Sequence, residues 1–226
     1  MDISPLIISL KTAFVATFIT FFVGIYMACF VVRMKHFQGI MDAIITLPMV
    51  LPPTVVGFFL LLIFGKRSWL GQLLLQFDIR FVFSWEAAVT AAVVVSMPLM
   101  YRTARGAFEQ IDKNIIYAAR TLGVSEWKIF WQILLPNARQ GILAGVILSF
   151  TRALGEFGAT IMVAGNVSGV TQTMSTAIYS AVQADDDATA FRWVIVVVVF
   201  SFAIVMIMNY WVNYKTKNQV LAGAGK

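Results

Sequence analysis

Residues 111–139 read IDKNIIYAARTLGVSEWKIFWQILLPNAR, a polar island set between apolar runs. Its order is Tyr117-Ala118-Ala119, then Gly123, then Ile133, Leu135 and Pro136. The spacing predicts two short helices. The first covers residues 114–122 and stops at Gly123, because glycine tolerates positive φ. The second is capped by Ser125, with Leu135-Pro136 ending it or turning the chain back. Ala118 and Ala119 are expected on one face, where small side chains let a partner approach. Trp127, Phe130 and Trp131 can fill a groove on that partner.

The surroundings of the island are membrane-like. The chain has 226 residues, 60% of them hydrophobic and 12% charged, with a mean hydropathy of +0.83. A soluble domain carries roughly twice that charge fraction. The apolar runs suit bilayer spans of about 20 residues. Five are expected, over residues 6–32, 40–64, 85–100 (continuing as a more polar helix to 105), 141–164 and 192–214. They make one all-α polytopic membrane domain over 6–214, followed by a tail at 215–226. Pro48, Pro52 and Pro53 must kink or break the second span. Residues 174–182 suit a short re-entrant or interfacial helix.

Charge sets the expected orientation. With the N-terminus outside and the C-terminus inside, the inner segments hold Arg33, Lys35, Arg102, Arg105, Lys113, Arg120, Lys128, Arg139, Lys215, Lys217 and Lys226. The outer loops hold Lys66, Arg67 and Arg80, with Arg192 at the boundary. That is the positive-inside bias. It also accounts for the net charge of +6 without a nucleic-acid partner. Trp85, Trp193 and Trp211 sit near span ends, where amphipathic rings prefer to lie. The N-terminal run lacks a basic cluster and a cleavage site, and reads as a retained span.

Catalytic equipment is not expected. A P-loop needs G-x-x-x-x-G-K-[ST]. The fragment Gly65-Lys66-Arg67-Ser68 has Leu60 where the first glycine belongs. No serine triad or zinc spacing is visible, and His36 lacks neighbouring ligands. The lone Cys29 cannot form an intrachain disulfide. Five spans make a poor conduit alone, and two copies about a two-fold axis would enclose one.

The fourth apolar run carries a second informative stretch, from Ser149 through Thr151, Arg152 and Glu156 to Thr160. Arg152 and Glu156 are four apart, hence expected on one helix face. Charges in a span must pair or face a wet interior. They either line and gate a path or lock helices together. Ser149, Thr151, Thr160 and Asn166 either offer donors along a path or, for the hydroxyls, bond back to their own helix. Pro52-Pro53 is either a gating hinge or a fixed kink.

Ala118-Ala119, Gly123 and Ile133-x-Leu135-Pro136 together resemble the EAA motif of bacterial ABC importer permeases. Tyr117 departs from it, standing where the family often has an acidic residue. The resemblance implies a type I ABC importer permease fold, with Tyr117, Ala118, Ala119, Gly123, Trp127, Ile133, Leu135 and Pro136 coupling to a cytoplasmic ABC ATPase dimer. It implies a homodimer, an external oxyanion-binding protein, and a multi-pass place in the plasma membrane (the inner membrane in a Gram-negative cell). It implies that ATP and Mg are bound by the ATPase, with no cofactor on this chain.

The run Arg152-Ala153-Leu154-Gly155-Glu156-Phe157-Gly158-Ala159-Thr160 and the proline-rich second span are similar to those of molybdate importer permeases. That implies an oxyanion path past Pro52, Pro53, Ser149, Thr151, Arg152, Glu156 and Thr160. Sulfate and tungstate permeases share parts of these motifs. A channel or scaffold working without ATP is the reading of another class.

Overall fold

A computed structural model describes residues 2–34 and 36–223, with the side chains of Met208, Asn209 and residues 211–223 outside the description. Lys35 and the residue 226 end of the tail are therefore outside it, as are the side chains of Trp211, Lys215 and Lys217. Among the described residues every regular element is helical. The chain divides into two compact units, Met1–Thr176 and Ala177–Lys226.

The first unit is built around α1 (Ser4–Arg33) and α5 (Trp85–Glu109). Thirty residues at 1.5 Å rise give α1 about 45 Å, enough to cross a bilayer tilted. One stripe of α1 is small and buried: Ala13, Ala16, Thr17, Thr20, Gly24 and Ala28. It lies in the contact of α1 with α5, while Ala87, Ala88 and Ala91 of α5 pack with Val56 and Leu60 of the second span and with Ala159 and Val163. Lipid gives two helices no hydrophobic reason to associate, so close approach through small residues supplies the packing. Phe14, Phe18, Phe22, Tyr26 and Phe30 lie exposed on α1.

Side-chain contacts fix the crossing directions. The Trp85 indole N–H donates to the Thr12 hydroxyl at 2.9 Å. Further along, Gly24 lies against Met100 and Tyr101. Numbers rise together, so α1 and α5 run parallel. The long helix α8 (Leu135–Leu154) runs the other way against α5. Gly141 lies on Ala107, Gly145 on Thr103 and Met100, and the Ser149 hydroxyl bonds the Ser96 carbonyl at 3.4 Å.

Two parallel spans need a return crossing between them. It is made by α2 (Gln38–Val50) and α3 (Pro53–Phe64), bent at their junction by 110°. Proline removes backbone donors at 48, 52 and 53, and Leu51 is forced extended before Pro52 (φ −69, ψ 143). Asp42 on α2 bonds Tyr101 and Arg105 toward the far end of α5. At the other end Phe64 stacks on Phe81 at 4.2 Å, just before α5 begins. The bent pair is therefore one broken span rather than a loop returning to its own side.

After Phe64 comes α4 (Trp69–Gln76), whose N-cap Ser68 accepts from the Gly71 N–H at 2.8 Å. It lies within the 65–84 connection that was expected to be an outer loop.

The fourth span differs from expectation. It does not run over 141–164. The helix begins at Glu126, continues to Leu154, breaks at residues 155–157, and resumes as α9 (Gly158–Val163). Nor does Leu135-Pro136 end a helix. The π-helical turn Phe130–Leu134 widens the ladder just before the proline, with the Leu135 N–H reaching the Phe130 carbonyl. A wide turn accommodates a residue that has no donor. The Asn137 amide then satisfies the Ile133 carbonyl at 2.7 Å.

Past α9, the Phe83 N–H bonds the Val163 carbonyl at 3.0 Å, and Gly165 (φ +69) packs on the Phe83 ring. The Met174 N–H then donates to the Ser9 hydroxyl at 2.8 Å, tying the chain to the start of α1. A helix over Met174–Gln183, α10, agrees with the short one expected at 174–182. The second unit holds most of α10 and all of α11 (Asp187–Gly223). Residues Asp187–Ile207 of α11 are long and apolar enough to cross a membrane. Four such helices and the broken pair make up to five spans among the described residues.

Candidate functional site: the coupling loop and the broken spans

The polar island folds as expected in outline. Asp112 caps α6 (Lys113–Thr121) by accepting from the Asn114 N–H at 2.9 Å. Gly123 adopts φ +75, a left-handed conformation that costs a side-chain-bearing residue about 1–2 kcal/mol. The Ser125 hydroxyl faces the Lys128 N–H at 3.5 Å and starts α7 (Glu126–Ile129).

Ala118 and Ala119 do not share a face. Successive helical residues are about 100° apart, and Ala119 is buried while Ala118 is exposed. Ala119, Ile129 and Leu134 join one buried cluster with Ile25 and Val31 of α1, Ile45 of α2, and Tyr101 and Phe108 of α5. Ile133 and Leu135 pack on its edge. The island is thereby fastened to the ends of four helices. Its other side is open and apolar: Leu122 is 82% exposed and Trp127 71%, with Ile115, Tyr117 and Trp131 also exposed. Trp127 and Trp131 meet edge-on at 5.6 Å. Pro136 is exposed as well.

Glu126 braces the island. Its carboxylate takes two hydrogen bonds from Arg120, at 2.6 and 3.2 Å, and lies 3.6 Å from Arg33 at the end of α1. The Arg120 hydrogen bond is the main reason the Glu126 carboxyl titrates below its ordinary value. A second polar cluster went unnoticed in the sequence. Arg105 bonds Asp42, Glu109 at 2.7 Å and the Tyr101 hydroxyl at 3.3 Å. Asp42, a carboxylate inside an apolar run, was the available signal.

Of the remaining predicted residues, Pro53 and the Glu156 break lie where the two broken spans meet. Gly158 lies against Pro53 and Thr54, and Gly57 against Ala159 and Met162. Arg152 and Glu156 pair at 2.6 Å, but not on one helix face as expected. The helix ends at Leu154, and Glu156 sits in the break. Its other oxygen accepts from the Ala159 N–H at 2.7 Å and so caps α9. Glu156 is only 2% exposed, and its pairing answers the cost of burying a carboxylate. The Arg152 side chain keeps 32% of its surface open. Thr151 bonds back to the Ile147 and Leu148 carbonyls at 3.1 Å. Ser149 joins α8 to α5 and Thr160 is buried, while Pro52 is exposed and Pro53 half-buried.

Residues 20–218 match the family described as the binding-protein-dependent transport system inner membrane component. The chain is 44% identical over 180 residues to the molybdenum transport system permease protein ModB of Escherichia coli (strain K12), covering 78% of each. With the protein of the same name from Haemophilus influenzae it shares 37% over 228 residues, 99% of this chain and 98% of that one. A sulfate transport system permease protein, CysT of Escherichia coli (strain K12), is 34% identical over 89% of this chain and 73% of its own.

Among solved structures, a bacterial alginate ABC transporter in complex with its alginate-bound periplasmic protein superposes with a TM-score of 0.78. That match has 16% identity and covers 95% of this chain and 79% of that one. The MetNI methionine ABC transporter gives 0.72 at 16% identity, over 93% and 94%. These two likenesses concern the fold.

Proposed function

The chain belongs to the family of binding-protein-dependent transport system inner membrane components, and on that premise we propose that it is the permease subunit of an ABC importer carrying molybdate into the cytoplasm. The observation that carries the coupling role is the open apolar face of Tyr117, Leu122 and Trp127 on an island packed into the ends of α1, α2, α5 and α8. A partner gripping that face moves four helix ends, because buried packing transmits displacement rather than absorbing it. Molybdate is favoured over sulfate by the higher identity to molybdenum permeases, 44% against 34%.

In this reading the N-terminus is outside, and the Arg33 end of the bundle is cytoplasmic. Arg33, Arg105, Arg120 and Lys128 cluster there, in keeping with the positive-inside bias. A cytoplasmic ATPase dimer, which binds ATP and Mg, docks on the island. A second copy of this chain completes the path, and an external binding protein delivers the anion at the Trp85 end. The membrane is the inner one in a Gram-negative cell. The chain itself carries no cofactor and performs no chemistry on its cargo.

Alternating access follows from the two breaks. Residues 51–52 and 155–157 interrupt two spans that touch at Gly158 and Pro53. The half-open guanidinium of Arg152, held by Glu156, is the fixed cation at that junction. Ligands bias the two states only by their differential affinity for them.

The test is uptake of labelled molybdate into proteoliposomes holding this chain, the ATPase and the binding protein. Unlabelled molybdate should compete strongly and sulfate weakly. Equal competition by sulfate would overturn the substrate assignment.

A further inference from the structure

The antiparallel α5–α8 pair is hollow on one face at its Arg33 end. Gly106, Ala107, Gly141 and Ala144 form part of the lining of a cavity of about 650 Å³. A Cβ added at Gly106 would meet nothing within 4 Å. Much of the remaining lining is polar: Arg102 from α5 and Gln110 just past its end, Asn137 and Gln140 from α8, and Asp112 at the start of α6. Such groups are costly against hydrocarbon and acceptable against water. The volume is far larger than one tetrahedral oxyanion needs, so an ion can stand there with part of its hydration.

The charges in and around the cavity are unequal in their engagements. Arg33 and Arg120 face Glu126, Arg105 faces Asp42 and Glu109, and Arg152 faces Glu156. Among the described residues Arg102 has no carboxylate within ion-pair distance, and it is exposed on the cavity. Asp112 also lines the cavity but has one oxygen committed to the Asn114 N–H. A guanidinium outside any contact ion pair, with a partly engaged carboxylate on the same cavity, makes a weak anion site. Weak sites suit passage, since an ion must leave as readily as it enters.

We propose that this cavity is a water-filled exit vestibule, in which Arg102 briefly holds the oxyanion between the broken-span junction and the cytoplasm. The assignment rests on the reading of the chain as an oxyanion permease. It adds a station that the EAA-like loop and the Arg152 region do not supply. Ile111, Asp112 and Ile115 line the same cavity. One wall is therefore the start of the coupling helix, and movement of α6 changes the width of the exit.

The test uses the assembled complex in nanodiscs, with Cys29→Ser removing the chain's only cysteine and Gly106→Cys placing a thiol in the cavity. Ala144→Cys is the second reporter if Gly106→Cys does not assemble. The thiol is treated with methanethiosulfonates of similar size, one anionic and one cationic. The anionic reagent should react faster, by at least about threefold relative to its preference for a free thiol, because a charged cleft concentrates counter-ions. Arg102→Gln should abolish that excess and Arg102→Lys keep most of it. Millimolar molybdate should slow the anionic reagent only when the cation at 102 is present.

A faster cationic reagent, no reaction at either position because a second copy covers the groove, or an excess indifferent to Arg102→Gln would each overturn the vestibule. The reagent ratio is read without transport. An intact ratio together with failed molybdate uptake would therefore overturn the substrate reading and leave the anion vestibule standing.

Discussion

Gly158 lies so close to Pro53 that a Cβ on the glycine would stand 2.9 Å from the proline Cβ and 3.2 Å from the Thr54 nitrogen. The two interrupted spans meet there without room for a methyl group. Overpacking a tight contact costs about 1–3 kcal/mol. Gly158→Val should lower the melting temperature of the purified complex and remove most transport, with Gly158→Ala milder on both. Wild-type melting and uptake in Gly158→Val would mean that the junction is loose.

Asp42 holds the first half of the broken span to α5 through Arg105 and Tyr101. Asp42→Ala leaves Arg105 with Glu109 and the buried Tyr101 without its carboxylate acceptor. Leaving such groups short of a partner costs about 1–3 kcal/mol. Tyr101→Phe removes the hydroxyl's two hydrogen bonds, to Asp42 and from Arg105, each worth about 0.5–1.5 kcal/mol, but leaves the Asp42–Arg105 pair in place and strands no buried hydroxyl. Thermal melting should rank the variants in that order.

Trp127 and Leu122 are mostly exposed and contribute little to the fold. Trp127→Asp and Leu122→Asp should leave expression and melting unchanged. Both should lose co-purification with the ATPase, since a carboxylate forced into an apolar groove is costly. Ala119→Asp, pointed into the buried cluster, should instead fail to fold.

The Glu126 bridge is half exposed on both sides, so its worth is about 0.2–1 kcal/mol. Its carboxyl is held below the ordinary 4.5 chiefly by the Arg120 hydrogen bond. A depressed acid stabilises the fold above its unfolded value and loses that contribution as pH falls through the folded value. Glu126→Gln should lower ATPase affinity slightly and equally at pH 6 and pH 8. The difference from wild type should fade only as pH falls through the depressed folded-state value, below 4.5.

Much of this was legible in the sequence, for reasons that can be named. Hydropathy alone places α1, α5 and the apolar part of α11. Gly123 and Ser125 mark ends of the island's helices because capping is local chemistry. The continuation of the helix through Pro136 was not legible, since the π-helical turn that accommodates the proline has no signature in residue type. The inward face of Ala119 and the Asp42–Arg105 pair depend on which helices become neighbours. The Arg102 cavity exists only once α5, α6 and α8 are assembled. Arg152 and Glu156 looked like a helical i, i+4 pair and do form an ion pair, yet the helix ends between them.

The central claim is that this chain moves an anion only when an ATPase drives it through the island. The most direct measurement is molybdate accumulation in proteoliposomes with and without ATP, comparing wild type and Trp127→Asp in the presence of the ATPase and the binding protein. Wild type should accumulate molybdate only when ATP is supplied, and Trp127→Asp under neither condition. Equal molybdate entry without ATP, or undiminished ATP-driven entry through Trp127→Asp, would contradict it.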